Sequence, residues 1–125
     1  MPRLNVQGEL RRRLSDAMPG VEVRCSVPDP RPARLVTVRR NGGRRLNALV
    51  DMAGVDVEAW AATDAEAEGL MQLASDAIAA MPFTGGFARI EEETMRDETD
   101  LRDAGGHWFA SYTIHTYIPE GNEND

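Results

Sequence analysis

The sequence predicts a single α+β domain: a mixed, mostly antiparallel β-sheet with an N-terminal helix and one long amphipathic helix packed on it, and a protruding β-hairpin. Two segments have apolar residues at helical spacing, and several others alternate at strand spacing. Their order is helix, strand, hairpin, strand, long helix and two strands. With 125 residues, the chain is long enough for one domain with one core. We assign this domain to residues 1–118 and expect the acidic tail, 119–125, to be disordered.

Both helices are predicted from their apolar spacing and their end signals. The first, residues 5–17, repeats apolar residues every three or four positions and stops before Pro19-Gly20. The second begins at Thr63, which has the spacing of a capping box, and keeps an apolar face as far as Met81. These faces are expected to cover the sheet.

Alternating apolar residues predict the strands. Asn41-Gly42-Gly43 predicts the tight turn of the hairpin, because Asn and Gly tolerate positive φ. A break at 52–54 separates the returning strand from the next alternating run, and residues 96–106 are expected to form a polar loop. Strands are predicted at 21–27, 33–40, 44–51, 55–61, 87–95 and 107–118.

Charge is divided unevenly along the chain. The net charge is -7, yet residues 1–50 carry 11 Arg and 4 acidic residues, whereas residues 51–125 carry 3 Arg and 17 acidic residues. Every basic residue is arginine, which forms planar bidentate pairs with carboxylates and is enriched at protein interfaces. A GC-rich genome explains the preference over lysine equally well. Four arginines surround the predicted turn: Arg39, Arg40, Arg44 and Arg45.

The residue types that carry chemistry do not form a catalytic pattern. Cys25, the sole cysteine, lies in an alternating apolar run, so we expect a buried thiol in a reducing compartment. His107 and His115 lie on one predicted strand, too far apart to share a metal. We therefore expect no catalytic residue, no cofactor and no metal. The sequence has neither a long apolar run nor a signal peptide, so no membrane partner is expected.

Other functions remain compatible with the sequence. A small DNA-binding or regulatory domain would use the arginine-rich hairpin, although no aromatic residue is interleaved with the arginines and the chain is acidic overall. A small hydrolase or isomerase would need a site built across subunits. A solvated hairpin turn without a function is also consistent with the four arginines.

The string LVTVRRNGG, followed by ALVDMAGVDVEAWAATDAEAEGLMQLASDAIAAM, resembles the tail-terminator (tail-completion, or head–tail joining) proteins of long-tailed bacteriophages and prophages. The resemblance runs from about Leu10 to Ile118. It includes an Arg-Arg-x-Gly-Gly segment, a Val-x-Val-x-Ala-Trp-Ala strand and an Ala-rich helix. The last strand departs from the family pattern, because it begins with Gly106-His107-Trp108-Phe109 instead of a Pro-Arg-Tyr-like start.

The resemblance implies a non-enzymatic virion protein that forms a six-fold ring. Such a ring caps the tail tube, stops tube polymerisation and offers a surface to the head connector, while DNA passes through its central hole. The implied partners are further copies of the chain, the major tail tube protein and the head–tail connector protein, with the tape-measure protein as a further candidate. The expected location is the virion tail, and the host cytoplasm during assembly. The candidate interface residues are Arg39, Arg40, Asn41, Gly42, Gly43, Arg44, Arg45, Asp97, Asp100 and Asp103.

Overall fold

The computed structural model describes residues 3–100, 102 and 105–118, which form two helices and a five-stranded sheet. The elements are α1 (Val6–Ala17), β1 (Glu22–Arg24), β2 (Leu35–Arg45), β3 (Val50–Ala61), α2 (Asp64–Ala79), β4 (Phe87–Asp97) and β5 (Gly106–Tyr117). The strand order is β1-β2-β3-β5-β4; β1 is parallel to β2 and the other neighbours are antiparallel. The predicted α+β fold class is confirmed. The predicted tail, 119–125, lies outside the described residues.

The core lies between the two helices and one face of the sheet. Val55, Val57 and Ala59 of β3 are buried on this face, as the alternation along the strand predicts. Leu10 and Leu14 of α1 join the same cluster and are fully buried. No helix of the described residues covers the opposite face of the sheet, which we call the open face. Within the same residues, neither helix is long and apolar enough to span a membrane.

The start of α2 is fixed by its predicted cap. The Thr63 hydroxyl oxygen accepts a hydrogen bond from the main-chain N–H of Glu66 at 3.1 Å, so one of the unpaired donors in the first turn is satisfied. We expect Thr63→Ala to lower the free energy of unfolding by about 1 kcal/mol, and Thr63→Ser to leave it nearly unchanged. Urea denaturation followed by circular dichroism measures both. Equal stability of the alanine and serine variants would contradict this role.

The turn of the hairpin lies at 46–49, and the prediction of a turn at Asn41-Gly42-Gly43 is wrong. β2 continues through these three residues to Arg45, and Gly43 pairs with Ala53 of β3. The register between the strands shifts between Arg40 and Gly42, so the glycines belong to a β-bulge. The Asn-Gly-Gly segment therefore forms a bulge instead of a turn.

Asn47 supplies the turn chemistry. Its side-chain oxygen accepts hydrogen bonds from the main-chain N–H groups of Leu49 and Val50, at 2.8 Å and 2.9 Å. The predicted break at 52–54 is also wrong, because β3 runs without interruption from Val50 to Ala61. β3 pairs with β5 along this whole length, so only the turn extends beyond the paired sheet.

Strand order leaves two free edges. β1 pairs only with the first three residues of β2, so β2 has no neighbouring strand on its outer side from Val38 to Arg45. β4 forms the opposite edge of the sheet. These two edges carry most of the charged residues that the sequence predicts as an interface.

Candidate assembly surfaces

The basic edge is the part of β2 that lacks an outer neighbour, residues 38–45. Its four arginines are exposed. By their register with β3, Arg39 and Arg44 lie on the open face, whereas Arg40 and Arg45 lie on the helix-covered side. The edge therefore presents guanidinium groups towards both faces of the sheet, and no acidic residue lies within it.

None of the four arginines has an acidic partner among the described residues, but Arg40 differs from the others in its hydrogen bonds. Arg40 makes two hydrogen bonds within the chain. Its main-chain N–H donates to the Gln7 side chain of α1 at 2.7 Å, and its Nε donates to the Gly42 carbonyl at 2.9 Å. Arg39, Arg44 and Arg45 make no salt bridge with any described residue. Their charges are available to carboxylates outside this chain, which arginine binds in a bidentate way.

Asn41, Gly42 and Gly43 shape this edge. The Asn41 side-chain amide donates to the Asp56 carboxylate at 2.7 Å. Gly43 has a φ of 129°, and a Cβ added there would lie 2.1 Å from the Met52 carbonyl oxygen. A residue without a side chain is therefore required at position 43. The bulge sets the faces to which Arg44 and Arg45 point.

The acidic edge consists of β4 and the residues that follow it as far as Asp100. Ion pairs neutralise half of its carboxylates: Arg89 with Glu91, Arg96 with Glu98, and Arg102 with Asp100. The others make no salt bridge with the described part of the chain; they are Glu92, Glu93 and Asp97. Among the described residues, the acidic edge thus carries carboxylates without an ion pair, and the basic edge carries arginines without one.

The two predicted aspartates that the structure describes are held in defined positions. Hydrogen bonds from Thr99 keep the pKa of Asp97 below its usual value, and one of them is the Thr99 N–H at 2.8 Å. Hydrogen bonds from Arg102 likewise lower the pKa of Asp100. Both carboxylates therefore stay ionised at neutral pH. Asp103 lies outside the described residues.

The structure does not bring the predicted arginines and aspartates together. β3 and β5 lie between the two charged edges. At a strand spacing of ~4.8 Å, β2 and β4 are roughly 14 Å apart. Because they run in opposite directions, Arg45 at the end of β2 and Asp97 at the end of β4 also lie at opposite ends of the sheet. Each subunit therefore has a positive corner diagonally opposite a negative one.

The apolar end is a third surface, which sequence reasoning missed. Its members are four exposed large apolar residues at the end of the sheet where β2 stops and β4 starts. Phe83 is 80% exposed and has a φ of 66°, a strained conformation for an aromatic residue. The side chains involved are Leu46, Leu49, Phe83 and Tyr117.

Backbone hydrogen bonds join the segments of the apolar end. Tyr117 N–H donates to the Gly86 carbonyl at 3.1 Å, and Ile118 N–H donates to the Leu49 carbonyl at 2.8 Å. The turn, the end of β5 and the loop before β4 therefore form one surface. Apolar patches of this kind are typical of contacts with other proteins.

The open face carries His107 and, opposite it on β3, Trp60. The rings of Trp60 and His107 are stacked with centroids 4.3 Å apart, and His107 Nε2 lies 2.8 Å from a Glu58 carboxylate oxygen. These contacts support a structural role for His107. Among the described residues, no group of three or more His, Cys, Asp or Glu is placed to hold a metal ion.

No known protein family and no curated protein sequence matches this chain. Function is therefore inferred from the two charged edges and the apolar end.

Proposed function

We propose that this protein is a tail terminator: a non-enzymatic structural protein of a phage virion that forms a ring on the end of the tail tube. The ring stops further tube polymerisation and provides the surface that joins the tail to the head connector. One observation carries the proposal. Arginines and carboxylates that make no salt bridge with the described residues lie on opposite edges of the same sheet.

Opposite charges on opposite edges favour a ring over a two-fold dimer. In a cyclic ring, one surface of each copy meets a different surface of the next copy. The basic edge of one subunit then faces the acidic edge of its neighbour, and closure leaves neither edge unpaired. A two-fold dimer through either edge would instead place like charges opposite each other, which is unfavourable.

The apolar end supports contact with a second kind of partner. It lies at the ends of the strands, whereas the charged edges run along their sides. Copies joined edge to edge would thus keep this surface at one rim of the ring. We assign it to contact with the major tail tube protein or the connector. The six-fold number and the DNA in the central hole are taken from the family resemblance.

Salt should dissociate the ring. The expected mass is about 83 kDa, six times the subunit mass of 13.8 kDa. Charge pairs near the surface weaken as the Debye length falls from about 8 Å at 0.15 M salt to about 3 Å at 1 M. Sedimentation velocity across this salt range, at several protein concentrations, measures the effect. A monomer under every condition, or a ring indifferent to salt, would contradict the proposal.

The unpaired guanidinium groups also favour a second candidate function, which is DNA binding by the basic edge. Arg39, Arg44 and Arg45 would neutralise phosphates, so affinity would fall steeply with salt concentration. A gel-shift titration with duplex DNA at increasing salt distinguishes the two. Salt-sensitive DNA binding by a protein that never self-associates would replace the first proposal with this one.

A further inference from the structure

A small pocket opens between α2 and β4, on the helix-covered side of the acidic edge. Its volume is about 210 Å³. Aliphatic side chains form much of its wall, and Glu92 is the only acidic residue in the lining. The lining residues are Ser75, Ile78, Ala79, Ile90, Glu92 and Tyr112.

Glu92 is held in place without being neutralised. One of its carboxylate oxygens, Oε1, accepts hydrogen bonds from the Ser75 hydroxyl at 2.6 Å and from the Tyr112 hydroxyl at 2.8 Å. Burial raises the pKa of Tyr112 above its usual value, so the phenol remains a donor. No arginine of the described residues pairs with Glu92. Glu92 is exposed, so this oriented carboxylate is accessible to a cation from outside the chain.

We propose that this pocket receives Arg40, which lies on the helix-covered side, from the basic edge of a second copy of the chain; Arg39 precedes it on the open face. The proposal rests on the ring described above and identifies one of its contacts. An arginine stem packs along apolar walls such as Ile78 and Ile90, while its planar guanidinium pairs with a carboxylate. The pocket offers both features, and the basic edge supplies arginines without acidic partners.

The strand register shows which arginine lies at the height of the pocket. Arg40 pairs with Val55, Val55 with Tyr112, and Tyr112 with Glu92, so the four residues form one row across the sheet. In a ring whose axis runs along the strands, neighbouring copies sit at the same height. Arg40 of one copy, with Arg39 next to it in the chain, then lies at the height of Glu92 of the next copy. The register with β3 places Arg44 and Arg45 three and four residues further along the sheet than Arg40, roughly 10 Å and 13 Å at ~3.3 Å per residue.

A charge exchange between two variants tests this contact. Glu92→Arg alone, and Arg39→Glu/Arg40→Glu alone, should each raise the concentration for half-assembly at least ~10-fold, because each places like charges at every contact. An equimolar mixture should restore the ring. Copies then alternate, and each interface again joins an arginine to a glutamate. Sedimentation velocity measures assembly, and circular dichroism confirms that each variant is folded.

Two matched controls make the test specific. Glu93→Arg changes the neighbouring exposed charge, which does not line the pocket, and should weaken assembly less than Glu92→Arg. Arg44→Glu/Arg45→Glu mixed with Glu92→Arg should not restore the ring. Restoration by this second pair alone would overturn the assignment to Arg40.

The outcomes separate the pocket from the ring. If wild-type protein assembles and Glu92→Arg assembles equally well, the pocket contact is overturned and the ring proposal stands. If wild-type protein does not self-associate at any salt or protein concentration, both are overturned. Loss of assembly in each variant with recovery in the mixture supports both.

Discussion

Replacing Arg39, Arg44 and Arg45 by glutamine should leave the monomer folded and strongly weaken assembly of the ring. All three side chains are exposed and make no salt bridge with the described residues, so the fold loses little without them. Each of these charges should contribute about 1 kcal/mol to the attraction between neighbouring edges, so losing three raises the dissociation constant roughly 100-fold. Light scattering after size exclusion measures the mass, and circular dichroism measures the fold. Arg40 is kept because its guanidinium bonds the Gly42 carbonyl.

The matched control removes three positive charges elsewhere. Arg12, Arg24 and Arg34 are also exposed, and they lie in α1, in β1 and before β2. Changing them to glutamine alters the net charge by the same amount but leaves the basic edge intact. This control should assemble like the wild type. Equal loss of assembly in both triple variants would mean that assembly depends on net charge and not on the basic edge. An unfolded monomer would mean that the arginines stabilise the fold.

The fold class was predictable because the spacing of apolar residues that marks a helix or a strand is visible within a short stretch of sequence. α1 and α2 lie where apolar residues recur every three or four positions, and α2 begins at the expected capping residue, Thr63. β5 follows its alternation almost to the residue. These signals depend on neighbours within a few positions, so a single sequence contains them.

The position of the hairpin turn was predicted wrongly because the same sequence signal is compatible with a tight turn and with a β-bulge. A glycine after Asn41 suits a tight turn, and a glycine with positive φ also suits a bulge inside a strand. The pairing of Arg44 with Met52 and of Arg45 with Asp51 decides between them. That pairing depends on contacts between residues distant in sequence. Asn47, which forms the real turn, lies between two leucines that look like strand residues.

The sequence predicts that the protein has a basic and an acidic surface, but it does not predict where on the sheet they lie. The sequence shows a basic first half and an acidic second half. It does not show that β4 pairs with the outer side of β5. This strand order places Glu92 and Asp97 on the edge opposite the arginines. The apolar end was missed for the same reason. Leu49 and Phe83 are far apart in the chain, and strand order brings them to one end of the sheet.

Gly43→Ala should destabilise the protein by about 2–3 kcal/mol, whereas Gly42→Ala next to it should change stability by less than ~0.5 kcal/mol. At position 43 the added Cβ would lie 2.1 Å from the Met52 carbonyl oxygen and 2.8 Å from Ala53 Cα, both of them backbone atoms. The φ of 129° is also one that alanine rarely adopts. A Cβ at position 42 meets nothing within 4 Å. Chemical denaturation of both variants measures the difference.

The same pair of variants links the bulge to assembly. Relief of the clash at position 43 requires β2 to move away from β3, which changes the direction of Arg44 and Arg45 on the basic edge. Folded Gly43→Ala protein should therefore assemble more weakly than Gly42→Ala protein when both are compared at a temperature where each is fully folded. If Gly43→Ala is destabilised but assembles normally, the bulge serves the fold alone. If Gly42→Ala is the more damaging change, the backbone of β2 at these two residues differs from the one described.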